Sequence, residues 1–202
     1  MNETGTLQPR QRMIIACDVE GSTSRTNTAK AILRTDMYDL LEGALLLCDI
    51  TENLREPFIN TGDGAMVLLR PDDGVPKTLL LNTFVPALSE KLSEHAVRHP
   101  ERMFRLRLAI HSGEVLLDRQ GAFGEDIDIT FRLLNSPDLK RRLQQTSAPL
   151  VLVVSDHIHQ SVVRHGYDGI DGETFELAVR LRVAGRQQVG WVQVPAADLY
   201  LA

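Results

Sequence analysis

The sequence predicts an α+β fold, and three observations carry that prediction. Strand and helix signals alternate in the order β-α-β-β-α-β before a final stretch that adds further helix and strand. The two middle strands are separated only by Gly62-Asp63-Gly64, and an Asp-Gly between apolar runs is a hairpin signal. Two long segments repeat apolar residues at spacings of three and four, the period of a helix with one buried face. Together they describe a ferredoxin-like βαββαβ core with a C-terminal αβ extension, its helices on one face of a mostly antiparallel sheet.

Each element follows from its own pattern. Residues 10–18 read as a buried strand around Met13-Ile14-Ile15-Ala16-Cys17. From Ser24 to about Ile50 the pattern is helical, with Met37, Leu40, Leu41, Ala44, Leu45 and Cys48 on the buried side. Residues 57–61 and 65–70 flank the Asp-Gly turn, and Pro71 to Pro76 form a turn-rich break. A second helix is expected over 77–98, with Leu80, Phe84, Leu88 and Leu92 on one face. Residues 103–118 alternate as a strand and continue past a kink expected at Gly113. Then come one helix over 126–143, a buried strand at 150–154, a short helix capped by Asp156 and reaching Arg164, and strands at 174–183 and 189–194.

The bulk properties narrow the function classes. The 202 residues suffice for one domain with a full core, assigned to 11–202 behind a flexible polar arm at 1–10. A composition 43% apolar and 24% charged is that of a soluble globular protein. A net charge of -5 argues against a nucleic-acid partner, which needs a basic face, but leaves room for a local cationic pocket. No apolar run approaches the ~20 residues of a membrane span, and the polar N-terminus does not read as a signal peptide. The expected location is the cytoplasm, away from membranes. Cys17 and Cys48 sit in apolar patterns and read as buried thiols rather than a bridge. His111 is expected to pack or bond locally, and His157 and His159, two apart, lack chelating spacing.

Two aspartates stand out as a site. Asp18 ends the first apolar run where it meets Val19-Glu20-Gly21-Ser22-Thr23, and Asp63 sits in the hairpin turn. If the two strands are neighbours, both carboxylates project from one sheet edge and repel unless a cation lies between them. Magnesium is satisfied by one or two carboxylates plus substrate phosphates, so a nucleoside triphosphate site is the first expectation. Taken singly, Asp18 reads as a strand-end cap and Asp63 as a plain turn residue.

Four motifs in order strengthen the pair: Ala16-Cys17-Asp18-Val19-Glu20-Gly21-Ser22-Thr23, Gly62-Asp63-Gly64, Leu106-Arg107-Leu108-Ala109-Ile110-His111-Ser112-Gly113-Glu114-Val115, and Gly124 through Arg132-Leu133. On these the chain resembles the catalytic domain of class III nucleotidyl cyclases, over about residues 11 to 194, in a divergent branch of actinobacterial type. The separation of the aspartates, 63 − 18 = 45 residues, agrees with that resemblance.

The resemblance implies conversion of a nucleoside triphosphate to a 3′,5′-cyclic nucleotide and pyrophosphate, for signalling, with two Mg²⁺ or Mn²⁺ ions. It implies Asp18, Asp63 and the Val19 carbonyl as metal ligands. Backbone amides of Glu20, Gly21, Ser22 and Thr23 would hold the triphosphate, joined by Arg182 or Arg186 from a late strand. Arg132 would stabilise the reacting phosphate from the partner subunit, so the resemblance implies a homodimer with sites at the subunit interface. Three positions depart from the family. Asp128 replaces an asparagine one turn before Arg132, and an ionised aspartate cannot donate to the ribose. Ile59 and Gly121 fall where adenylate cyclases read the base, which implies altered base selectivity. The same departures support a second expectation: a degenerate, catalytically inactive domain acting as a nucleotide-binding or protein-interaction module. An Asp128–Arg132 salt bridge on one helix face is the plain alternative to a catalytic Arg132. With no sensor domain in the sequence, control is expected from a separate effector protein, expression level or nucleotide concentration.

Overall fold

A computed structural model of the protein describes residues 7–195. The arm expected at 1–10 therefore lies outside the described residues up to residue 6, and the last seven positions, 196–202, lie outside them as well. The chain runs β1 (Arg10–Val19), α1 (Asn27–Leu46), β2 (Ile59–Asn60), β3 (Gly64–Leu69) and α2 (Lys77–Leu79), which passes through a π-helical turn at Leu80–Phe84 into α3 (Val85–Arg98). Then follow β4 (Leu106–Leu117), β5 (Ala122–Phe123), α4 (Glu125–Leu134), α5 (Pro137–Gln144), β6 (Leu150–Ser155), α6 (Asp156–Ser161), β7 (Glu176–Val183) and β8 (Arg186–Gln193).

Among the described residues these strands form one sheet in the order β2-β3-β1-β4-β6-β8-β7, with β5 added beside β4. β1 is antiparallel to both β3 and β4, so the first four strands have the ferredoxin-like order. β4 and β6 are parallel, and β8 and β7 close the edge as an antiparallel hairpin. The strand period of two splits β1 between two cores. Ile15, Cys17 and Val19 join α1 and α3 in the larger core, whereas Ala16 points to the other face.

That second face corrects the expectation that all helices lie on one side. Leu133 and Leu134 of α4 and Leu139 and Leu143 of α5 pack there with Val151, Val153 and Val192. Helices therefore cover both faces, α4 and α5 taking the half of the sheet around β6 and β8. The helix expected over 126–143 is two helices, because Ser136 accepts a hydrogen bond from Leu139 N–H as an N-cap and Pro137 starts α5. The cap of α6 is Ser155 rather than Asp156. Gly113 is not a kink: β4 runs through it opposite Arg12, and a Cβ there would overlap the Asp126 carboxylate. Cys17 and Cys48 are buried free thiols, and burial pushes them up to about 12 and about 11. Among the described residues no helix is long and apolar enough to cross a membrane.

Candidate active site

Asp18 is the penultimate residue of β1 and pairs in register with Gly64, so Asp63 lies immediately beside the end of β1. The Val19 N–H donates to the Asp63 carbonyl at 3.2 Å, tying the hairpin turn to that strand end. Gly64 is required by this approach: a Cβ would run into the Cys17 carbonyl oxygen. Backbone pairing thus brings the two carboxylates close enough to interact at one end of the neighbouring strands β1 and β3, as the sequence predicts.

Their environments differ. Asp18 is 7% exposed and meets Arg107, its register partner on β4, in a two-point fork. Arg107 Nε donates to Oδ1 and a terminal nitrogen to Oδ2, each at 2.7 Å. Burial pushes the Asp18 carboxyl above its usual range; Arg107 opposes this, and the nearby Asp63 charge adds to it. Asp63 is exposed, and its Oδ2 accepts from the Ser22 hydroxyl at 2.5 Å. The turn carrying it is braced by Arg34 of α1, which donates to Asn60 Oδ1 at 2.6 Å and to the Gly62 carbonyl at 3.3 Å.

The segment after β1 turns sharply through Gly21, at φ 64°, into a 3₁₀ turn over Ser22–Ser24. Glu20 is committed elsewhere: Arg105 grips its carboxylate at 2.8 and 2.9 Å. Gly21 and Thr23 are exposed, whereas Ser22 is buried. The Val19 side chain is buried in the core, so only its backbone can serve a metal.

These residues fit a hard divalent cation shared with a substrate. Among the described residues no cluster of three or more His, Cys, Asp or Glu forms a self-sufficient cage. Two carboxylates alone suit Mg²⁺ or Mn²⁺ that completes its shell with phosphate oxygens. Asp63 keeps Oδ1 free of hydrogen bonds among the described residues, and the Arg107 fork takes two of the four lone-pair sites of Asp18.

The remaining predicted residues lie elsewhere in the chain. Asp128 and Arg132 are exposed on α4, and among the described residues neither enters an ion pair or a side-chain hydrogen bond. The salt bridge that their one-turn spacing permits is not formed, and within one chain Arg132 contacts neither Asp18 nor Asp63. Ile59 packs on a small cluster with Ile14, Met66 and Leu68, and Ala122, next to Gly121, packs on the same cluster. Gly121 sits in the β4–β5 turn at φ 143° with open space where a Cβ would be. Arg182 and Arg186 lie near the tip of the β7–β8 hairpin, at the sheet end opposite Asp18.

Sequence reading missed Arg107, the residue in closest contact with Asp18. Its signal was present: Arg107 is a charge at a β4 position that shares a face with the fully buried Ala109. It also missed the Ser22 and Arg34 contacts, which depend on tertiary approach.

No family model and no curated protein matches this chain. Solved structures do. An adenylate/guanylate cyclase/hydrolase from Silicibacter pomeroyi is 18% identical with a TM-score of 0.64, covering 95% of this chain and 100% of that one. The adenylyl cyclase CyaB from P. aeruginosa is 15% identical with a TM-score of 0.63, covering 95% and 98%. The catalytic core of a rhodopsin-guanylyl cyclase with converted specificity, in complex with ATPαS, is 12% identical with a TM-score of 0.60, covering 95% and 100%. The fold of this chain is that of cyclase catalytic domains.

Proposed function

We propose that this chain is a class III nucleotidyl cyclase-like domain that forms a 3′,5′-cyclic nucleotide and pyrophosphate from a nucleoside triphosphate. It works in the cytoplasm as a homodimer with a site at each subunit interface. The observation that carries this reading is the juxtaposition of Asp18 and Asp63 at one strand end, on a cyclase fold. Two Mg²⁺ or Mn²⁺ ions held by these carboxylates and the Val19 carbonyl would polarise the attacking 3′ oxygen and the α-phosphate. The chain's own groups do the rest. Backbone N–H groups of Gly21, Ser22 and Thr23 hold phosphate oxygens at the head of the helical segment. Glu20 adds neither group, since its carboxylate belongs to Arg105 and its N–H already donates to the Arg105 carbonyl at 3.0 Å. Arg107, fixed beside Asp18, places a guanidinium where substrate phosphates approach the metal carboxylate. Arg132 of the partner subunit, which enters no ion pair among the described residues of its own chain, stabilises charge on the reacting phosphate. Arg182 or Arg186 adds a cation from the partner, since each lies far from Asp18 in its own chain. Ile59 and Gly121 carry no side-chain hydrogen-bonding group, so the base is selected by shape and not by an adenine-specific pair.

A second reading has observations of its own. Asp128 puts a carboxylate where a donor to the ribose is needed, and the Arg107 fork already balances the Asp18 charge without a metal. Both suit a catalytically silent domain that binds nucleotide and passes the signal to another protein.

One experiment separates the two. Purified protein is incubated with ATP, GTP, CTP and UTP separately in Mn²⁺, and the products are analysed by mass spectrometry. The expected outcome is a cyclic monophosphate that disappears in Asp18→Ala. Absence of product from all four nucleotides, with folded dimeric protein, selects the second reading.

A further inference from the structure

At the other end of β1 from Asp18, a cavity of about 530 Å³ opens between residues 11–13, Ser112 of β4 and the loop leading into α2. Arg12 lies six residues back from Asp18, about 20 Å at strand spacing, so a ligand here touches none of the reacting groups. One wall is cationic. Arg12 is 7% exposed and Lys77 is half-buried. Glu56 is shared between Arg12 and Arg70, at 3.0 and 2.9 Å, so that corner keeps a surplus positive charge. Arg12 Nε is closed off from solvent and has no hydrogen-bond partner among the described residues. Lys77 enters no ion pair among the described residues. Its ammonium donates to His157 Nε2 at 3.1 Å, and burial pulls its pKa below the usual lysine value. Ser112, 4% exposed, accepts from Gln11 Nε2 at 2.8 Å, and its own proton has no acceptor among the described residues. The loop that lines the rest is anionic. Asp72 gives one oxygen to the Gly74 N–H at 2.8 Å, and neither Asp72 nor Asp73 enters an ion pair among the described residues.

A simple anion would be repelled by the two aspartates, and a simple cation by Arg12 and Lys77. A molecule with an acid at one end and an amine at the other satisfies both walls. Its carboxylate accepts from the Lys77 ammonium and the Ser112 hydroxyl, two donors that lack an anionic partner. Its ammonium donates to Asp72 or Asp73. The volume lies in the range of small-molecule sites. We propose that this cavity binds a small zwitterion of the amino-acid type, held by Lys77 and Ser112 at its acid end and by Asp72 and Asp73 at its amine end. The site is separate from the nucleotide site and does not depend on the cyclase reading.

The test is calorimetric titration of the full chain at neutral pH with glycine, γ-aminobutyrate and ε-aminocaproate, zwitterions of increasing span. Butyrate and butylamine, each carrying one of the two charges, are the controls. The expected result is saturable binding of at least one zwitterion and of neither control. Lys77→Gln and Asp73→Asn each remove one charged contact and should weaken that zwitterion roughly ten- to a hundredfold. Asp73 is exposed, so Asp73→Asn should unfold in urea at the wild-type midpoint. Binding of no zwitterion overturns the inference, as does wild-type affinity in either variant. Butyrate binding as tightly as the best zwitterion also overturns it and leaves a plain anion site. No nucleotide is present in these titrations, so an inactive cyclase site leaves their outcome unchanged.

Discussion

Asp18 and Asp63 were legible as a pair because each closes or opens an apolar run at a glycine-containing turn. Arg107 was not, because its contact with Asp18 exists only through the register of β1 on β4, and sequence alone leaves that register open. The difference between the two aspartates sets their predictions. Asp63 is exposed and its loss strands no buried charge, so Asp63→Ala should keep the thermal midpoint while abolishing stabilisation by nucleotide with Mn²⁺; differential scanning fluorimetry reads both at once. Arg107→Ala should do the reverse to the fold. It leaves the Asp18 carboxylate buried without its partner, which costs about 3–5 kcal/mol in urea unfolding. On the proposed function, Asp128→Asn would restore a donor to the ribose, and a single such donor is worth on the order of 10²-fold in rate. Cyclase turnover in that variant should rise accordingly. His111 offers a pH test of the fold away from the site. Its ring bonds Ser155 at 2.7 Å and Asp126 at 2.9 Å, with Lys77 and His157 facing it from α2 and α6. Burial lowers its pKa despite Asp126, so the folded state resists a proton that the unfolded chain accepts. Stability from this group is complete above the ordinary histidine value of about 6.5 and falls as pH drops below it. His157 and His159 are lowered in the same direction and add to the slope. Urea midpoints at pH 7.5 and 5.5 should fall with acidification, and His111→Gln should flatten the dependence.

At the scale of elements, the patterns that repeat over many residues were readable and the ones set by a few atoms were not. β1, α1, the β2–β3 hairpin and β4 follow from period and turn signals. The break between α4 and α5 was hidden because Ile129, Leu133, Leu139 and Leu143 keep a continuous apolar stripe across it, although Ser136-Pro137 announces a new helix. β5, with two residues, is too short to show a period. The two-sided helix cover was unreadable for a different cause. A strand of near-continuous apolar residues such as Leu150–Val154 states that both faces are buried, but not by which helices. Gly64 and Gly121 illustrate how position outweighs residue type. Gly64 has the Cys17 carbonyl oxygen where its Cβ would be, and Gly121 has open space. Gly64→Ala should therefore cost more than about 3 kcal/mol and pull the Asp63 turn from β1. Gly121→Ala meets only backbone strain of about 1–3 kcal/mol. Chemical denaturation of the two variants side by side checks the ordering.

At the scale of the whole molecule, the proposed function assigns one chain two halves of a site that do not meet within it. Asp18 and Asp63 lie where β1 ends, whereas Arg132 stands exposed on α4, whose first turn packs by Asp126 against Gly113 far down β4. Gly113 pairs with Arg12, six residues back from Asp18 along β1, a span of about 20 Å at strand spacing. A two-fold homodimer that brings the carboxylate edge of one subunit to the α4 face of the other would complete two sites at once. That arrangement makes a prediction which no single-chain mechanism shares. Asp63→Ala and Arg132→Ala should each be inactive as homodimers. Unfolded together in equal amounts and refolded, they form mixed dimers in which one site has lost both groups and the other has kept both. Half of the dimers are then mixed, and each carries one working site of two, so activity should return to roughly a quarter of wild type. Product assay of the refolded mixture, against each variant refolded alone, reads this directly. No recovery, with mixed dimers shown present by a mass tag on one variant, would mean that Arg132 does not act across the interface. The functional half opposite the aspartates would then have to be sought within the same chain, and Arg107 is the arginine already in place there.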